Sequence, residues 1–370
     1  MNKNRKNIIC PDDKDIYTTI QSHRITNDTL YRLFLNHGIL ISSENSRESS
    51  ANLFSTFFNS YRDYEIIESS FVKTSPRKES SKGIFLNTST DKRKLVAFLT
   101  EIKDKIADIN HTEDIKIIPT GNKVDLQITY SKYDYLKNIF CGHEELTTNI
   151  IFEIEKDNIY IESKNNIESD SWIKCIINEF KTRNEELEIE EISLFGITDK
   201  NKRLSFFDDL INLVDGFSYE TVVAVYVSKP PRNKDDPYDE ITIDKASFKG
   251  KGLMDSDKLQ NLINEGFHIY KILWECTEQD NEDSHMYQFE VRFNKQEECT
   301  GFAYCVKGCR NYIAKGQYEE NLKPVNENNL MIINKKIFKA ASGILRALQT
   351  SMQSHIDGAD GADGAEDNKS

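Results

Sequence analysis

The chain contains no apolar run approaching the ~20 residues that a membrane-spanning helix needs, so no membrane partner is expected. Its first residues, MNKNRKNIIC, lack the apolar core of a secretion signal. Cations are in deficit: 48 Lys+Arg stand against 61 Asp+Glu, a net charge of −13 over 370 residues. That balance excludes a protein that coats nucleic acid over its whole surface, because phosphate binding is carried mainly by cations. The motifs of several enzyme classes are missing as well. There is no Gly-x-Ser-x-Gly, no His-Glu-x-x-His and no dinucleotide fingerprint, and the seven histidines are dispersed. Seven cysteines, an odd count without a secretion signal, indicate reduced thiols and a cytoplasmic location. Cys276, His285, Cys299, Cys305 and Cys309 lie near one another, but only Cys305-x-x-x-Cys309 has the spacing of a zinc knuckle and its second half is absent. No metal or other cofactor is expected.

What is present is unevenly spread. Residues 1–110 hold 17 Lys+Arg and 14 Asp+Glu, whereas residues 111–370 hold 31 and 47. Any nucleic-acid contact, to DNA or RNA, is therefore expected in the first third. The Ser-rich segment SSFVKTSPRKESSKG concentrates Lys73, Arg77, Lys78 and Lys82 in what reads as a linker, and these four are the candidate phosphate ligands. From Asp357 the chain repeats Asp-Gly-Ala and ends in AEDNKS, a composition without apolar anchors that reads as a disordered acidic tail.

The hydrophobic periodicity predicts an α+β protein of three parts before that tail. Residues 1–110 read as a helical lead. Thr26–Asp28 caps a helix carrying Leu30, Tyr31, Phe34 and Leu35. Gly38 ends it, Ile39–Ile41 is an extended link, and a second helix begins near Ser46 with Ala51, Leu53, Phe54, Phe57 and Phe58. A longer helix is expected over 91–109. Residues 111–216 read as strand, helix, hairpin, helix and strand, the β-α-β-β-α-β order of ferredoxin-like domains, with strands at Val124–Tyr130, around the Asp157-Asn158 turn, and at Ile189–Ile197. Residues 217–356 read as an antiparallel-sheet-rich domain closed by a long amphipathic helix with Ile333, Ile337, Phe338, Ala341, Ile344, Leu345, Leu348 and Met352 on one stripe.

The stretch LYRLFLNHGILISSENSRESSANLFSTFF, within residues 26–60, resembles the SAP and LEM-like helix–extension–helix modules. The resemblance implies DNA binding or protein docking. Arg47 is the only early basic residue of the second helix, so docking to a protein partner is the expected role.

One constellation carries a catalytic reading. In the hairpin IIFEIEKDNIYIESK, Ile161-Glu162-Ser163-Lys164 has the hydrophobic-Glu-x-Lys pattern that resembles restriction-type nuclease sites. There, carboxylates on adjoining strands hold Mg²⁺ and the lysine serves the attacking water. A turn at Asp157-Asn158 would place Glu153 opposite Glu162, on one face with Glu155, Tyr160 and Lys164. Glu153, Glu162 and Lys164 are the candidate catalytic set, but alternating Glu and Lys also describe an ordinary solvated sheet face. The Asn-, Lys- and Ile-rich composition resembles low-GC prokaryotic and mobile-element genes. The expected function is thus a non-catalytic binding or assembly subunit of a multi-protein bacterial system, with antiviral defence against phage or plasmid DNA as its setting. A metal-dependent nuclease is the alternative.

Overall fold

The computed structural model describes residues 11–71, 79–133, 140, 143–184, 187–229, 245–250, 252–254 and 256–360. In chain order the elements are α1 (Asp13–Gln21), α2 (Asn27–Asn36), α3 (Arg47–Ser55), α4 (Tyr61–Ser69), β1 (Ser81–Asn87), α5 (Lys92–Glu101), α6 (Lys103–Ala107), β2 (Thr112–Thr120), β3 (Lys123–Tyr133), β4 (His143–Ile154) and β5 (Ile159–Lys164). There follow α7 (Ile167–Arg183), β6 (Glu188–Glu190), α8 (Lys200–Asn212), β7 (Phe217–Ser228), β8 (Lys245–Lys249), α9 (Asp257–Asn264), β9 (His268–Glu278), β10 (Met286–Lys295), β11 (Thr300–Arg310), β12 (Tyr312–Ala314), β13 (Gln317–Tyr318) and α10 (Glu327–Asp360). The protein is a mixture of helix and antiparallel sheet. No helix among the described residues is long and apolar enough to cross a membrane.

Two compact units divide the chain, Met1–Arg77 with Glu101–Lys116 and Gln127–Thr148, and Lys78–Thr100 with Ile117–Leu126 and Asn149–Ser370. Strands β2, β3 and β4 contribute residues to both.

The first unit gathers the short helices. Thr26 accepts from the Thr29 N–H ahead of α2, and Ser46 accepts from the Ser49 N–H ahead of α3, each satisfying an amide that the helix leaves free. Gly38 adopts φ +72°, a left-handed conformation that stops α2 after His37. Two short helices joined by a non-helical link, with a turn at Ser42–Asn45, therefore follow one another over 27–55. Ile16, Ile20, Leu30, Leu33, Phe34 and Phe54 close the core, with the Phe34 ring 5.3 Å from Phe54 and 5.7 Å from Phe57. Arg47 is built into this core's edge. Its guanidinium donates to the carbonyls of Ile20, Ser22 and Ile25 at 2.7–2.9 Å and to Asn27 Oδ1 at 3.1 Å.

In the second unit the hydrogen-bonded order is β4-β5-β1-β11-β10-β9-β7-β8, with β6 pairing β1 from off that path. β2 and β3 continue the order beyond β4. A ferredoxin-like middle would set its first strand beside its third. Instead β3 adjoins β4, β4 adjoins β5, and the place beside β5 is taken by β1, whose Ser81–Leu86 pair with Lys164–Ile159. β1 wins that position because Ile84, Phe85 and Leu86 are apolar and buried on both faces. Glycine at 83 matters here. A Cβ would sit 2.7 Å from the Phe338 ring and 2.8 Å from the Tyr304 hydroxyl.

The helices cover this sheet. α10 lays Ile333, Ile337, Phe338, Ala341, Ile344 and Leu345 into the core, the stripe expected from the sequence, with Leu348 and Met352 packed at its margin. α8 buries Phe206 and Phe207, whose rings meet Phe293 at 6.0 Å each. α7 buries Trp172, Ile173, Ile176 and Ile177, and its Phe180 ring lies 4.0 Å from Phe98 of α5.

Three expectations are corrected by these elements. The helix over 91–109 is two helices, interrupted at Ile102 with φ −89° and ψ 3°. The strand expected at 189–197 is confined to Glu188–Glu190. The final helix continues through Asp360, past the residue where the acidic tail was expected to begin, and residues 361–370 lie outside the described residues.

Candidate functional site

The β4–β5 hairpin is present, with a register two residues from the expected one. Ile154 pairs with Ile159, Glu153 with Tyr160 and Ile151 with Glu162. The Glu155 N–H donates to the Asn158 carbonyl at 2.9 Å, which closes the turn around Lys156-Asp157, one residue earlier than Asp157-Asn158. Moving the turn centre by one residue moves the pairing by two. Glu153 is thus not opposite Glu162, yet both stay on the same face, because side chains alternate with period two.

That face is covered by α10, and α10 decides the fate of each carboxylate. Glu162 is buried, accepting from Asn334 Nδ2 at 2.7 Å, with Tyr160 Oη at 3.5 Å. Asn334 Nδ2 also donates to Ser81 Oγ at 3.1 Å, and the Tyr160 and Tyr304 hydroxyls lie 2.8 Å apart. Burial raises the Glu162 pKa to about 7, against the opposing effect of the hydrogen bonds from Asn334, Ser81 and Tyr160. Tyr160 and Tyr304 are pushed well above the ordinary phenol range, burial being the first cause. This is a neutral-leaning polar cluster inside a hydrophobic layer.

Glu153 behaves oppositely. Burial would raise its pKa, but the Lys335 ammonium at 2.8 Å and Lys123 at 3.5 Å outweigh that and hold it below the usual range. Glu155 is likewise lowered: burial opposes the shift, while Lys335 at 2.8 Å and Lys339 at 2.7 Å drive it. Lys164 lies 3.9 Å from Glu79. The three residues of the catalytic reading are brought to one sheet face, and each is engaged by its own chain.

The basic segment divides. Lys73, Arg77 and Lys78 lie outside the described residues. Lys82, paired across from Ser163, reaches both oxygens of Asp170 at the start of α7, at 2.7 and 2.8 Å.

Among the described residues, Cys276, Cys299, Cys305 and Cys309 do not assemble into one site either. Cys276 and Cys309 flank Tyr287 on the apolar face of the sheet, whereas Cys305 pairs with Glu290 on the opposite face. Cys299 lies in the apolar core. Burial raises the Cys299 and Cys305 thiols to about 11. Among the described residues no group of three or more His, Cys, Asp or Glu is placed to hold a metal ion. Of Cys141-Gly-His143, only His143 is described, at the start of β4. Gly250 and Gly252 both have positive φ and lie after β8, well before α9 begins.

Sequence reading missed Asn334, Lys335 and Lys339, which determine the state of the hairpin carboxylates. The amphipathic stripe of α10 was the available signal, since Asn334 stands four residues before Phe338 and shares its inward face. No protein-family model matches the chain, and no curated protein matches it in sequence.

Proposed function

We propose that the protein is a non-catalytic binding or assembly subunit of a multi-protein prokaryotic system, working in defence against phage or plasmid DNA. The observation that carries the reading is the engagement of Glu153, Glu162 and Lys164. A carboxylate bonded to two lysines, a second one buried under Asn334, and a lysine beside Glu79 serve the packing of α10 and β5. A two-carboxylate metal site needs both groups ionised and open to the ion, whereas Glu162 has a pKa near 7 and almost no exposed surface.

An assembly role is supported by the first unit. Leu40 and Phe58 are 88% and 102% exposed, and Leu35, Leu53 and Tyr61 are also uncovered. Apolar side chains exposed in such number on a small helical unit suit a protein partner. With Lys82 and Arg47 committed to intramolecular contacts, the nucleic-acid contact proposed for the N-terminal third falls to Lys73, Arg77 and Lys78.

The purified chain, incubated with Mg²⁺ or Mn²⁺ and mixed DNA and RNA, is expected to leave both intact. Cleavage that Glu153→Gln or Glu162→Gln abolishes would establish the nuclease instead. Co-expression with the products of adjacent genes should give a complex that co-elutes on size exclusion and is lost on combining Leu40→Ser with Phe58→Ser. Charge reversal of Lys73, Arg77 and Lys78 should weaken retention on nucleic acid at low salt, and unchanged retention would remove that segment from the reading.

A further inference from the structure

On the other face of the sheet, away from α10, the strands β7, β9 and β10 carry a second polar group. Lys271 and Arg292 face each other across β9 and β10, and Tyr226 pairs with Lys271 across β7 and β9. A register shift between Tyr226 and Val227 disturbs the alternation, so that Tyr270 joins Tyr226 and Lys271 at the same place. Together with Asn294 and Gln296 these residues line an open pocket of about 330 Å³.

The charges there do not balance. The buried Glu290 carboxylate lies 3.1 Å from Lys271, 3.7 Å from Arg292 and 3.6 Å from Lys307. One carboxylate thus answers to both pocket cations, and Lys307 has further contacts of its own. Lys271 and Arg292 retain one positive charge beyond what Glu290 neutralises, in a protein of net charge −13. Arg292 donates one bond, from Nη2 to Ser80 Oγ at 3.1 Å, while its Nε is buried without a protein acceptor. Gln296 has the complementary defect, a buried side-chain oxygen without a donor. Both atoms are closed to solvent in the pocket wall, whereas the Lys271 and Arg292 side chains keep 20% and 37% of their surface open.

The rings narrow the ligand class. The Lys271 ammonium sits 4.9 Å from the Tyr226 ring centre, and the Tyr226 and Tyr270 rings lie 6.3 Å apart at 56°. Tyr226 is occupied by that cation–π contact, which leaves Tyr270 as the stacking surface beside the two cations. Cation, aromatic ring and side-chain amide within one pocket match phosphate, planar base and base edge. The volume falls at the small end of ligand sites, enough for a single nucleotide. We infer that this pocket binds a nucleotide, the phosphate on Lys271 and Arg292 and the base against Tyr270. The site shares no residue with the hairpin and stands independently of the assembly role proposed above.

Titration calorimetry on the full chain distinguishes the cases, with each of the four nucleoside 5′-monophosphates, the matching nucleosides and inorganic phosphate as probes. At least one monophosphate should bind roughly tenfold tighter than its nucleoside and than inorganic phosphate. Arg292→Met and Lys271→Met should each weaken it roughly tenfold, with Arg292→Lys retaining part of the affinity. Tyr270→Leu should weaken the nucleotide and leave inorganic phosphate unchanged. Far-UV circular dichroism and the thermal midpoint confirm that each variant is folded. A short single-stranded oligonucleotide binding more tightly than the monophosphate, with the same variant sensitivity, identifies the end of a strand as the source. A free nucleotide is identified if the oligonucleotide binds no better. No saturable binding of any monophosphate at millimolar concentration overturns the inference. So does binding that survives both cation variants, or inorganic phosphate binding as tightly as the nucleotide.

Discussion

Glu162 shows how one side chain's environment redirects its chemistry. The hydrophobic-Glu-x-Lys pattern is legible in sequence, but the donor that fixes the glutamate, Asn334, lies on a helix far downstream. Its folded pKa of about 7 is above the unfolded value near 4.5, so folding favours the protonated form. The stabilising effect of the neutral carboxyl is fully present below about pH 4.5 and is lost as pH rises through 7, a change on the order of 3 kcal/mol. Chemical denaturation of Glu162→Gln should show this loss removed. The variant is expected to gain up to roughly 3 kcal/mol over the parent at pH 8 and almost nothing at pH 4. An unchanged pH dependence would mean that Glu162 is ionised in the fold. Gly83 offers a second residue-scale test. Gly83→Ala should cost about 1–3 kcal/mol in urea denaturation, because the methyl group enters the space of Phe338 and Tyr304.

Among the elements, those with a clean period were readable and those defined by partners were not. The α10 stripe and the Thr26 and Ser46 caps follow from local rules and are found where those rules place them. The hairpin was readable to within one residue of turn position, because alternation fixes the face while the turn fixes the register. β1 was hidden. SKGIFLN follows a Ser-rich basic stretch and, buried on both faces, shows no alternation to detect. The ion pairs between α10 and the β4–β5 hairpin test the packing of these elements. Glu153 and Glu155 have folded pKa values below their unfolded ones, so their contribution is present above about pH 4.5 and lost as pH falls through the folded values. Lys335→Met should therefore destabilise the protein by about 1–3 kcal/mol at pH 7 and by much less at pH 3. Thermal midpoints at the two pH values check this, and equal losses would assign the effect to packing rather than charge.

For the whole molecule, the odd cysteine count predicted reduced thiols, and burial gives a physical reason for their inertness. Cys276, Cys299, Cys305 and Cys309 are buried, and burial pushes the thiols of Cys276, Cys299 and Cys305 upward. A thiol reagent at pH 8 should leave these four unmodified in the native protein and reach them only in denaturant, as peptide mapping would show. Rapid native modification of Cys305 would mean that the Glu290 face opens readily.

The position of β1 has a consequence for how the chain is made. Ser81 pairs with Lys164 on one side and with Tyr304 on the other, and Phe338 packs over the same strand. During synthesis β1 emerges early and must wait, first for β5 and then for β11 and α10, before its edges and faces are occupied. Long-range pairings of this kind slow folding and leave an apolar strand open to other chains in the meantime. The helices of residues 13–69 can close their core once Phe140, which belongs to it, has emerged, still long before that point. Nascent chains released short of α10 should be the aggregation-prone species, with an exposed strand rather than a denatured helical unit as the sticking surface.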